Sequence, residues 1–120
     1  NYIGYSAFNS CSALENIVIP ENVDSIAGFA FSDCSALTSI VIPDNVEVID
    51  DHAFSDCEKL VSLTMGKKVR KIDYRAFDDC TALDSVGMEV RACCLIHSVK
   101  SCSGKVWNTF RSGCVRTMPI

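Results

Sequence analysis

The apolar positions of this chain repeat with one long period rather than with the short period of a single helix or strand. Ile3, Ile26, Ile49 and Ile72 are each 23 residues apart. The same step links Ala7, Ala30, Ala53 and Ala76, then Phe8, Phe31, Phe54 and Phe77, then Cys11, Cys34, Cys57 and Cys80. It also links Leu14, Leu37, Leu60 and Leu83, then Ile17, Ile40, Leu63 and Val86, then Ile19, Ile42, Met65 and Met88. Columns of this kind, in register over successive copies, define a repeat protein in which each unit buries its apolar edge only against its neighbours.

Within a unit the pattern predicts a strand, a turn, a short helical turn and a second turn. In Leu37-Thr38-Ser39-Ile40-Val41-Ile42-Pro43 the β-branched residues alternate, which predicts a strand over 39–42 with Ile40 and Ile42 inward and Ser39 and Val41 outward. Pro43 has no N–H to give to a ladder and ends the strand, and Asp44-Asn45 follows as a turn. The column Val23, Val46, Val69 brings the chain back inward. On the return leg Asp50 or Asp51 is placed to cap one helical turn, with Ala53, Phe54 and Cys57 facing the core. The expected class is therefore an α/β repeat solenoid, a right-handed leucine-rich-repeat-like coil of 23-residue units. Short parallel strands form one face, and short helical turns or loops form the other.

The pattern I-x-x-x-A-F-x-x-C-x-x-L-x-x-I-x-I-P-x-x-V resembles the BspA-like (Treponema-type) leucine-rich repeat family over residues 3 to about 90. The resemblance implies a curved solenoid with parallel strands along one face, carried by surface or secreted microbial proteins, some of them adhesins that bind host or matrix proteins. An extracellular or cell-surface location is implied on the same ground.

Two segments are expected. Residues 1–90 hold four repeats starting at Ile3, Ile26, Ile49 and Ile72. Residues 91–120 form an irregular, basic, cysteine-rich stretch in which the period is lost. That stretch reads as a cap over the open end of the stack, a degenerate fifth repeat (Val115, Met118 and Ile120 echo the strand spacing) or a tail of non-native origin. The chain opens at Asn1 with Ile3 already in register and no leader, as a fragment or processed chain would. No run of about 18 apolar residues is present, so membrane insertion is not expected.

Charge separates the two segments. Residues 1–90 carry all 15 acidic residues and 6 basic ones, whereas residues 91–120 carry 5 basic residues and no acid. An acidic body disfavours nucleic acid as a partner.

The cysteines divide likewise. Cys11, Cys34, Cys57 and Cys80 are expected to form a structural ladder of buried thiols acting as small apolar fillers; disulfides between neighbours are the competing reading. Cys93, Cys94, Cys102 and Cys114, with His97, match neither paired C-x2-C nor C2H2 spacing, so no metal is expected there. A disulfide within the tail and reduced cysteines are both open. Asp33, Asp56 and Asp79 stack in a column that one-sided oxygen donors cannot turn into a calcium site, which needs about six ligands. His52 shares its column with Ser6, Phe29 and Arg75 and is assigned no role. No hydrolase, metalloprotease, phosphate-loop or dinucleotide motif occurs, and neither enzyme activity nor a cofactor is expected.

The candidate binding face is the outward strand columns: Asn16, Ser39, Ser62 and Ser85, then Val18, Val41, Thr64 and Gly87. These are small, neutral residues with an apolar stripe at Val18 and Val41, without the aromatic or Arg anchors usual at hot spots. Tyr5, Phe29, Tyr74 and Arg75 make the return leg a rival face. The expected function is non-enzymatic binding of a protein partner, of adhesive type, through the solenoid face. The alternatives are spacer units of a longer array and a metal- or redox-responsive tail. End-to-end association of exposed ends is a further expectation.

Overall fold

The computed structural model describes residues 1–73 and 75–87. The chain forms two parallel sheets, one more than the sequence pattern predicts. The predicted strand is present as β3 (Ser39–Val41), β5 (Ser62–Thr64) and β7 (Ser85–Gly87), in the order β3-β5-β7. Pairing is parallel, with Ser39 opposite Ser62, Ile40 opposite Leu63 and Val41 opposite Thr64, so partners are one 23-residue step apart. In β3 the alternation is as read: Ile40 is buried between exposed Ser39 and Val41.

The second sheet is built from two-residue strands ending at the isoleucine column. These are β1 (Tyr2–Ile3), β2 (Ser25–Ile26), β4 (Val48–Ile49) and β6 (Lys71–Ile72), in the order β1-β2-β4-β6 and again parallel. Each isoleucine pairs with the next, Ile26 with Ile49 and Ile49 with Ile72.

The predicted helical turn is absent: no helix occurs among the described residues. The return leg is instead a succession of tight turns. Ala7 N–H donates to Gly4 O at 3.1 Å and Cys11 N–H to Phe8 O at 3.3 Å. The third residue of each turn, Ser6 (φ 57°) and Ser10 (φ 61°), lies in the left-handed region, the type II signature. Later units repeat this at Phe29 and Asp33 and at His52 and Asp56. A left-handed residue every fourth position stops a helix from propagating, and for a non-glycine residue it costs about 1–2 kcal/mol. What offsets the cost is visible in the hydrogen bonds. The leg turns its N–H groups toward the next unit, with Phe54 N–H on Ala76 O at 2.7 Å and Asp56 N–H on Asp78 O at 2.8 Å. Asp50, expected as a helix cap, caps this turn, its Oδ1 accepting from Asp51 N–H at 2.8 Å.

The core lies between the two sheets and the turn leg and is made of the columns read from sequence. Ile26, Ala30, Phe31, Cys34 and Leu37 are fully buried, as are their counterparts Ile49, Ala53, Phe54, Cys57 and Leu60. The phenylalanines stack face to face: ring centroids are 5.2 Å apart for Phe8–Phe31, 5.1 Å for Phe31–Phe54 and 5.2 Å for Phe54–Phe77, and the planes are within 6° of parallel. Parallel strand spacing of about 4.8 Å sets this separation. Alanine one residue before each ring leaves room for the turn to close. Among the described residues one polar side-chain pair is built into the interior, Ser32 Oγ and Ser55 Oγ at 3.0 Å.

The expected boundary at residue 90, and everything inferred for 91–120, lie outside the described residues.

Candidate functional site

The outward strand columns are exposed in part. Asn16, Ser39 and Thr64 are exposed, Ser62 and Gly87 are half-buried, and Ser85 lies in β7. The apolar stripe is real: Val18 is 90% exposed and Val41 61%. Such exposure of two valines one unit apart is the marked feature of this face.

A recess of about 290 Å³ opens beside the stripe, lined by Ile17, Val18, Ile19, Glu21, Val41 and Pro43. Its origin is a seam that does not close. Between later units the strand is extended by Ile42 N–H donating to Thr64 O at 2.8 Å and Met65 N–H to Gly87 O at 2.7 Å. The equivalent bond from Ile19 N–H to Val41 O is missing among the described residues, and residues 16–19 form no strand against β3. On this side the first two units are joined by Thr38 N–H on Glu15 O at 3.3 Å and by the Asn45 side-chain amide, whose Nδ2 donates to Glu21 O at 2.8 Å.

The column Pro20, Pro43, Gly66 differs between these units. A Cβ at Gly66 would clash with the Pro43 carbonyl, lying 2.6 Å from its carbon and 2.7 Å from Ile42 O. Glycine therefore lets the third unit close on the second. Against the first unit the same column holds Pro43, and the seam there is the open one. Gly66 thus stands at the close approach of the second and third units.

The cysteine column is a ladder of free thiols rather than of disulfides. Each thiol donates to the phenylalanine carbonyl of the preceding unit: Cys34 to Phe8 and Cys57 to Phe31 at 3.2 Å, and Cys80 to Phe54 at 3.1 Å. They are polar links as well as fillers. Cys11, in the first unit, is half-buried rather than buried. Burial, with the neighbouring Cys57 second, pushes the Cys34 thiol up to about 11.

The return leg carries an aromatic row that sequence reading only partly found. The Tyr5 ring meets Phe29 edge-on at 5.7 Å, and Phe29 stacks on His52 at 4.6 Å within 6° of parallel. His52, assigned no role from sequence, is half-buried, with Nδ1 2.6 Å from Asp51 Oδ1 but off the hydrogen-bonding direction. The pairing Phe29–His52 was detectable as two planar side chains one period apart. In the aspartate column Asp33 and Asp79 are exposed and Asp56 is half-buried. Burial first, then the facing charges of Asp79 and Asp33, raises the Asp56 carboxyl above its ordinary value.

This geometry, parallel short strands stacked at a fixed step over a core of repeated apolar columns, defines a leucine-rich-repeat fold. Residues 1–98 match a family model described as "BspA type Leucine rich repeat region (6 copies)". The chain belongs to the BspA-type leucine-rich repeat family. Its structure is similar to a crystal structure described as a leucine rich cell surface protein from Faecalibacterium prausnitzii A2-165, with 32% identity and a TM-score of 0.69. That match covers 89% of this chain and 25% of the other, so this chain spans about a quarter of the protein it resembles. Among curated proteins none matches the sequence.

Proposed function

We propose that this chain is a non-enzymatic, adhesion-type protein-binding module that engages a protein partner through the strand face of β3, β5 and β7. The observation that carries this reading is the exposed Val18–Val41 pair beside the open recess. Apolar side chains and unused strand hydrogen-bonding groups (Ile19 N–H and Val41 O) lie together there, as they do where a partner adds an extended segment to a sheet edge. Asn16, Ser39, Ser62, Thr64, Ser85 and Gly87 frame the stripe as a small-residue rim. The stack is read as a right-handed solenoid of 23-residue units over 1–90, with 91–120 a separate segment. Family membership and the cell-surface relative support an extracellular or surface location.

A direct test coats beads with the chain and with a Val18→Asp/Val41→Asp variant and measures retention on a panel of immobilised soluble and matrix proteins. The reading requires at least one protein to retain the wild-type beads and to lose them with the variant, while thermal unfolding stays unchanged. Retention that survives both charges moves the site elsewhere.

One observation favours a second reading, that these units are a spacer within a longer array. No aromatic or arginine anchor stands among the strand-face columns, and such anchors carry most interface energy. Wild-type beads that no protein on the panel retains support the spacer.

A further inference from the structure

Two acidic surface columns change sign at the third unit. Glu21 and Asp44 are followed one period later by Lys67, and Asp24 and Glu47 by Arg70. With Lys68 and Lys71 this places four cations within 67–71, in a body whose charge is otherwise acidic. All four residues are exposed. Lys67, Lys68 and Arg70 line, together with Glu47 and Val69, a recess of about 440 Å³.

The internal bonds of this cluster do not account for it. Arg70 Nε donates to Glu47 Oε1 at 3.1 Å and Lys68 Nζ to Asn45 Oδ1 at 3.2 Å, both between exposed groups. Exposed pairs of this kind add little to stability. Glu47 and Asp44, whose Oδ1 accepts from Lys67 N–H at 3.1 Å, offset part of the cluster's charge and leave two of the four cations in excess, which repel one another unless a further anion lies among them.

We propose that the turn 66–71 is a binding site for a linear sulfated polysaccharide, independent of the strand face. Footprint selects this class among polyanions. Five residues span at most about 17 Å. A duplex or a bilayer laid across them would also cover Asp24, Asp44 and Glu47, whose carboxylates repel it. A single narrow chain can cross the cations alone. Single-stranded nucleic acid is also narrow, but it draws on aromatic stacking platforms, and among the described residues no aromatic lines this recess. A sulfated sugar chain needs only charge and flexible donors, which lysines supply. Glu47 holds Arg70 and faces the same recess, so it opposes the ligand.

The test uses the full chain on immobilised heparin, in buffer of about 50 mM salt, with the dependence on salt measured. Wild type is expected to bind, weakening as salt rises. Lys67→Gln/Lys68→Gln should weaken binding about tenfold or more and lower the salt slope by about two. Glu47→Gln, which frees Arg70, should instead strengthen binding several-fold. Because all three side chains are exposed, thermal melts of the variants should coincide with wild type. Four results overturn the proposal. Wild type fails to bind at low salt. The double variant binds as wild type does, which assigns retention to the basic residues of 91–120. Glu47→Gln leaves binding unchanged or weakens it. Inorganic polyphosphate, single-stranded RNA or anionic vesicles bind as tightly as heparin.

Discussion

The thiol of Cys57 donates to the carbonyl oxygen of Phe31, 26 residues earlier and one unit away, at 3.2 Å. The same carbonyl accepts the N–H of Cys34 at 3.4 Å. Phe31 therefore stacks its ring on Phe54 and ties its backbone to Cys57, so that side-chain packing and unit-to-unit hydrogen bonding are fixed by one pair of columns.

Cysteine reactivity should divide by position. Alkylation of the native protein near pH 8 is expected to modify Cys11 quickly and to leave Cys34, Cys57 and Cys80 masked until unfolding, read by mass spectrometry. For Cys34 the sign is set by burial favouring the neutral thiol. Between the ordinary value of 9.0 and about 11 the unfolded chain loses its proton and the folded chain keeps it. Stability from this group is thus fully present below pH 9 and is lost as pH rises to 11, at roughly 1 kcal/mol per unit. Cys34→Ala should show a shallower alkaline decline in its urea midpoint than wild type.

Phe54→Ala removes the middle of the ring stack at a site with no exposure. A loss of about 3–5 kcal/mol is expected. In an array this short, that loss should abolish cooperative unfolding in urea.

The buried Ser32–Ser55 hydroxyl pair calls for a double-mutant cycle. Either single change to alanine strands a hydroxyl and should cost about 1–2 kcal/mol. The double change should cost less than the sum of the two, a coupling that chemical denaturation would resolve.

Asp56 combines a left-handed backbone (φ 60°) with a raised carboxyl pKa caused first by burial and then by Asp79 and Asp33. Asparagine tolerates that backbone and carries no charge. Asp56→Asn should therefore stabilise at pH 7 by less than about 1 kcal/mol. Because the folded state favours protonated Asp56, wild type gains on the variant as pH falls, and the difference should vanish in acid. Asp56→Ala, with the same neutrality but a disfavoured φ, should be the less stable of the two at both pH values.

At the seam, Gly66→Ala forces a Cβ into the Pro43 carbonyl and should cost about 2–3 kcal/mol, with faster hydrogen exchange at Met65 and Ile42. Pro43→Gly is the opposite experiment. It should let Ile19 N–H reach Val41 O, protect that amide from exchange and reduce binding at the strand face.

The columns made the core and β3, β5 and β7 legible, because burial at every unit repeats the same requirement and leaves a periodic trace. The second sheet left little trace: strands such as Ser25–Ile26 are too short to alternate. The return leg was misread because a left-handed residue usually announces itself as glycine, whereas Ser6, Phe29 and His52 occupy that position here. Their conformation is imposed by bonds to the neighbouring unit, which no local propensity encodes. Of the candidate site, the exposed valines could be read from alternation. The recess could not, since it lies where two adjacent backbones fail to pair although their columns stay in register.

The bonds between units run along the stack, so a pull on its two ends loads them one after another rather than together. Under such tension the open seam beside β3, which lacks the strand bonds of the later units, is the side expected to part first. Each unit that peels away releases 23 residues, about 80 Å of slack at full extension. A stack built this way is expected to lengthen in steps under load.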